Sequence, residues 1–182
     1  MPVVINGNGT ITGYTPTVTT SMLPAGSVLQ VQFVKDTSST NLSQGGLAQW
    51  ADISALTVNI TPSATSSKIL VLAHTCFSES YDYGIWFRIM RDSTALTGAT
   101  SGSRTPISFG NTTAGNYLDA KCVSSSFSYV DEPSSTSQLT YKIQAVSRYS
   151  PQTWSYNKSY NTTDSGGYAQ GVSTLTVMEI AG

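Results

Sequence analysis

Apolar and polar positions alternate with a period of two along most of the chain, the spacing of strands that bury one face and wet the other. Gln138 to Arg148 shows it most clearly, with Leu139, Tyr141, Ile143 and Ala145 on one side and Thr140, Lys142, Gln144 and Arg148 on the other. The stretch LTVNITPSATSSKILVLAHTCF, Leu56 to Phe77, holds two strands and the break between them. Leu56, Val58 and Ile60 alternate with Thr57, Asn59 and Thr61, and Pro62, which has no N–H to give to a ladder, ends the run. Ile69 to Ala73 is then apolar at every position. Its β-branched residues and short length predict a central strand covered on both faces rather than a helix.

The same reading extends to the other segments. Leu23-Pro24-Ala25-Gly26 predicts a turn into a strand over Ser27 to Lys35, with Leu29, Val31 and Phe33 starting the core, followed by a polar loop from Asp36 to Gly46. Trp50 to Ile53 reads as a short strand, and Tyr83 to Arg91 sets Ile85, Phe87 and Ile89 against Trp86, Arg88 and Met90. Arg91-Asp92-Ser93-Thr94 predicts a hairpin turn into Ala95 to Thr97, and Gly98 to Gly115 a long loop with one short strand around Ile107 and Phe109. Tyr117 to Val130 reads as a bent strand with Val123, Phe127 and Tyr129 together, and Ser173 to Ala181 closes the sheet with Leu175 and Val177 inward. About eight strands, no amphipathic helix and no fixed-period repeat predict an all-β sandwich, with a jelly roll the arrangement expected. It occupies residues 23–182 as one domain. Residues 1–22 show no sustained period and hold three Gly and two Pro, so they predict an extended N-terminal arm whose apolar tip, Val3, Val4 and Ile5, attaches to a partner.

Composition narrows the function. Only 10% of residues are charged while about 30% are Ser or Thr, so the wet strand faces are coated with small hydroxyls; the 10% that are aromatic supply the bulk to fold. Nine Lys or Arg against ten Asp or Glu, without a basic cluster, give no footprint for nucleic acid or an anionic membrane. No run of about 18 apolar residues and no basic, then apolar, N-terminus is present, so neither membrane insertion nor secretion is expected, and the chain is read as made in a cytosol.

Candidate chemistry is sparse. Cys76 and Cys122 fall in predicted strands and are either two half-buried thiols or, if those strands are neighbours, a bridge. With one histidine they make no zinc set, and no metal or cofactor is expected. His74 sits in the apolar central strand, where a hydrogen-bonded core or interface role fits better than a triad. No nucleophile elbow, phosphate loop or dinucleotide fingerprint occurs. Glu79, Asp82, Asp131 and Glu132 are the carboxylates a glycosidase would need, but they sit near strand ends and read as solvated rims. No catalytic residue is assigned, and the chain is not expected to be an enzyme. Tyr149 to Gly171 sets Trp154, Tyr156 and Tyr160 among Asn, Ser and Gly, the composition of a surface or glycan-binding loop, or of a cover for the sandwich or a subunit interface.

Four segments carry a family resemblance. MPVVINGNGTITG, LPAGSVLQVQFV, LTVNITPSATSSKILVLA after a tryptophan, and the closing STLTVMEIAG resemble virion structural proteins of phages that infect cyanobacteria and other aquatic bacteria. The match covers the start, the first two-fifths and the end of the chain. It implies a small trimeric β-sandwich, used in that family as a capsid cement or decoration protein and as the distal module of tail fibres and tailspikes. Because the chain opens with a short arm and is otherwise one domain, without a shaft, cement is the expected role. That places it on the outer capsid surface, assembled in the host cytoplasm, with the major capsid protein and its own copies as partners. A receptor-binding tip that recognises host-surface glycans is the alternative.

Overall fold

A computed structural model of the chain describes residues 4–5, 11–12, 22–44, 49–79, 84–111, 121–148, 152–161 and 163–182, and among these described residues there are thirteen strands and no α-helix. In chain order they are β1 (Val4–Ile5), β2 (Ile11–Thr12), β3 (Val28–Asp36), β4 (Thr40–Gln44), β5 (Ala51–Ile60), β6 (Lys68–Glu79), β7 (Ile85–Arg91), β8 (Thr94–Leu96), β9 (Phe109–Asn111), β10 (Val123–Asp131), β11 (Leu139–Ser147), β12 (Gln152–Tyr156) and β13 (Ser173–Ile180). No helix among the described residues is long and apolar enough to cross a membrane.

Two antiparallel sheets carry the domain. The first runs β3-β13-β6-β10, because β6 pairs with β13 along one edge and with β10 along the other. The second runs β5-β11-β7, with β8 and β9 sharing the far edge of β7. Taking β3, β5, β6, β7, β8, β10, β11 and β13 in order, first pairs with last, second with second-last, and so inward to β7 with β8. Nested pairing of this kind is a long hairpin rolled over on itself, the jelly roll. Two strands extend it: β12 continues the β13 edge along the end of β6, and β4 pairs with β12.

Between the sheets lies the core. Ile69, Val71 and Ala73 point inward from β6, Ile85, Phe87 and Ile89 from β7, and Leu139, Tyr141, Ile143 and Ala145 from β11, as their alternation predicts. Phe87 meets Phe77 edge-on at 5.2 Å and stacks on Phe109 at 5.0 Å; Phe109 stacks in turn on Phe127 at 5.8 Å, closing the sandwich between β9 and β10. Cys76 and Cys122 are bonded, tying β6 to the chain entering β10, so the bridge holds rather than two thiols.

Two expectations are corrected. In β3, Val31 and Phe33 point outward and are 46% and 71% exposed, instead of starting the core. The reason is Glu179, buried at the inward position of β13 opposite Gln30. Its carboxylate accepts hydrogen bonds from Gln30 Nε2 at 2.6 Å, from Ser63 N and Oγ at 2.6 Å each, and from Ser67 Oγ at 2.7 Å. A buried carboxylate needs such donors, and turning Gln30 inward sends the apolar phase of β3 to the outside. The second correction concerns Ile69 to Ala73: the strand is central, but the single chain covers only one of its faces, leaving Leu72 37% exposed.

Within the predicted arm, β1 and β2 pair antiparallel, Val4 with Thr12 and Ile5 with Ile11, in a two-stranded ladder separate from both sheets. Val3 lies outside the described residues.

Candidate functional site

The carboxylates nominated for hydrolysis do structural work where they are described. Asp131 receives Arg91 Nη1 on both oxygens at 2.7 Å and Tyr141 O–H on Oδ2 at 2.6 Å. Burial first, and then this carboxylate, push the Tyr141 hydroxyl well above the ordinary tyrosine range, so it stays a donor. Glu132 pairs with Lys68 at 2.9 Å, Glu79 Oε1 accepts from Gly84 N at 2.9 Å, and Asp82 lies outside the described residues. His74 Nδ1 lies 2.9 Å from Ser126 Oγ across β6 and β10, on the outer sheet face rather than in the core. Among the described residues no three His, Cys, Asp or Glu side chains cluster as metal ligands.

Of the two readings of the aromatic stretch, Trp154 and Tyr156 follow the cover for the sandwich and not the surface loop. Trp154 and Tyr156 belong to β12, not to an outward loop, and are 0% and 2% exposed. Pairing of β12 with β6 turns both rings into the sandwich, where Trp154 meets Phe87 edge-on at 6.2 Å. Trp154 Nε1 is buried without a hydrogen-bond partner, so the indole is there for its bulk. Burial, with Asp36 nearby, pushes the Tyr156 hydroxyl above the ordinary range. Tyr160 is half-buried, its N–H donating to Ser78 Oγ at 3.0 Å. The three rings therefore share no surface.

What the loop does display is polar. After β12 the chain turns at Asn157, a fully buried residue with φ of 55° that its short amide side chain makes tolerable. Asn157 Nδ2 donates to the carbonyls of Asp36 and Ser38 at 2.9 and 3.0 Å, and Ser173 Oγ donates to its Oδ1 at 2.7 Å, pinning the loop to β3 and β13. Ser159 N donates to Ala169 O at 2.9 Å, and Ala169 N donates to Ser159 Oγ at 2.8 Å. Gly171 presses on the disulfide so closely that a Cβ there would overlap Cys76 Sγ. This frame holds open a cavity of about 470 Å³ lined by Lys158, Asn161, Asp164, Tyr168 and Gln170 among others. It offers donors, acceptors, one charge of each sign and one ring. Trp154, Tyr156 and Tyr160 do not line it; Lys158, Asn161, Asp164 and Gln170, which do, stand in the sequence as a dense polar run after β12.

No family model matches the chain, and no curated protein does. Among solved structures it is similar to that of the infectious bursal disease virus Gx strain, at 15% identity and a TM-score of 0.41 over 92% of this chain and 46% of that one. A second likeness is to the T13 particle of the same virus, at 13% identity and a TM-score of 0.44 over 83% and 39%. A third is to Eiger TNF from S. frugiperda, at 11% identity and a TM-score of 0.38 over 85% and 93%. The chain spans less than half the length of the viral chains.

Proposed function

We propose that this protein is a virion structural protein, a homotrimeric cement that sits on the outer capsid surface and clamps neighbouring copies of the major capsid protein, joining the particle in the host cytoplasm. The jelly-roll strand order carries the reading, since this architecture recurs in capsid and lectin domains, and the resemblance of four segments to phage virion proteins points to the capsid side. Fold alone assigns no role. Supporting it here, Asp131 spends both oxygens on Arg91 and Tyr141, which holds β10 to β7 and β11. Cementing needs no reaction: a protein that binds assembled shell but not free subunits stabilises the shell by mass action, and many sites in parallel give avidity.

A second reading, a receptor-binding tip for host-surface glycans, is favoured by one observation, the polar cavity beside Lys158, Asn161 and Tyr168. Labelling purified particles with a gold-conjugated antibody separates the two. Cement predicts label over the head surface. Label at the tail end establishes the second reading, and particles without label overturn both.

A further inference from the structure

We propose that the outer face of the β3-β13-β6-β10 sheet is where copies of this chain pack on one another, with Phe33 as the most projecting anchor. The inference rests on the homotrimer of the reading above but not on the particle.

Register lines up the face in rows. Val31, Met178, Leu70 and Val130 lie side by side across the four strands, an apolar row from edge to edge. The next row is Phe33, Thr176, Leu72 and Ser128. Val31, Phe33, Leu72 and Val130 in these rows are all among the exposed large apolar side chains of the described chain. A shallow recess adjoins them, lined by Leu72, His74, Ser126, Phe127 and Thr174. The opposite outer face of the sandwich is different in kind: Lys142 pairs with Asp52 at 2.8 Å, and the Arg88 guanidinium sits 4.3 Å over the Trp50 ring. One side of the molecule is finished for water; the other is not.

Sequence logic gives the same answer independently. A strand apolar at every position, as Ile69 to Ala73 is, belongs where both faces are covered. The single chain covers one.

Charge and area identify the occupant as a second copy. Neither row holds a charged side chain, and at the rim Lys68 is already paired with Glu132 at 2.9 Å. The two rows can therefore meet identical copies without like charges opposing each other, Lys35 lying one row beyond Phe33 toward the end of the face, whereas a partner selected by charge finds nothing in the rows to pair with. Four strands about 4.8 Å apart and about eight residues long at about 3.3 Å per residue project roughly 500 Å². Side-chain relief raises the accessible area above that, toward the roughly 800 Å² each partner gives to an interface of standard size.

Sedimentation equilibrium on the full chain across the micromolar range tests it, comparing wild type with Phe33→Asp, Val130→Asp and, on the other sheet, Thr57→Asp. The altered side chains all face solvent in one copy, so far-UV circular dichroism should be unchanged in each. The expected result is a wild-type trimer, weakening by more than about tenfold with either substitution on the proposed face, as an unpaired buried carboxylate weakens a packed interface, and no change with Thr57→Asp. A wild-type dimer broken by the same two substitutions keeps the face and overturns the trimer. A monomeric wild type, or an oligomer indifferent to both, overturns the proposal.

Discussion

Glu179 shows how one side chain decides which face of a strand is wet. It is 1% exposed, and burial alone would raise its pKa, but the hydrogen bonds from Ser63, Ser67 and Gln30 outweigh burial and hold it below the ordinary value of 4.5. A carboxyl whose folded pKa lies below its unfolded one contributes stability that is full above the unfolded value and is lost as pH falls through the folded one. Glu179→Gln keeps the shape, loses the charge and sets one amide donor against that of Gln30. It should therefore cost about 2 kcal/mol at neutral pH. The difference should shrink on going well below pH 4.5, because the native carboxyl then becomes neutral too. Denaturant melts of both proteins at neutral and acid pH check this, and a difference independent of pH would show that the charge is not what the donors stabilise. The inward position of Glu179 was legible, since Ser173, Leu175 and Val177 fix its phase. Its donors were not, because they come from a turn and from a strand 149 residues away.

At the scale of elements, strands with a continuous apolar phase were readable and strands made of polar residues were not. β7, β11, β13 and the half of β5 from Leu56 to Ile60 follow their alternation closely, because an inward row of Leu, Ile, Val or Phe leaves the sheet one way to lie. β4 and β12 carry mostly Ser, Thr, Asn and Gln and read as loops; the two-residue spacing of Trp154 and Tyr156 was the one sign that β12 is a strand with an inner face. Register with β6 makes that spacing structural, since Trp154 lies opposite Glu79 and Tyr156 opposite Phe77. Trp154→Ala should therefore lower folding stability by about 3–5 kcal/mol, as large aromatic-to-alanine changes in cores do. A thermal or denaturant melt measures it, and a loss below about 1 kcal/mol, the scale of a surface change, would mean the indole is not part of the core. β3 was misread for the opposite reason: its apolar row is real, but it faces outward, and nothing within the strand distinguishes a row that enters the chain's own core from one that lies on its surface.

For the whole molecule, the proposed function makes attachment to its own copies separable from attachment to a shell. The outer sheet face serves the first in the proposal above. The segment before β3 is left for the second, because Val3, Val4 and Ile5 make an apolar tip with too little sequence to fold alone, and an extended segment can add a strand to an exposed sheet edge in the shell. If so, the energy of residues 1–20 is spent between molecules rather than within one. Deleting them should leave a trimer with an almost unchanged melting temperature, which no longer rebinds particles stripped of the protein. Those particles should lose their DNA at a lower temperature than particles given the full chain. Phe33→Asp should behave differently, losing the trimer first and particle binding with it through lost avidity. A receptor-binding tip gives another pattern: deletion leaves heads as heat-resistant as before and abolishes adsorption to cells. Truncation that unfolds the trimer would show that the segment is integral to the domain, and the division of labour between arm and face would fail.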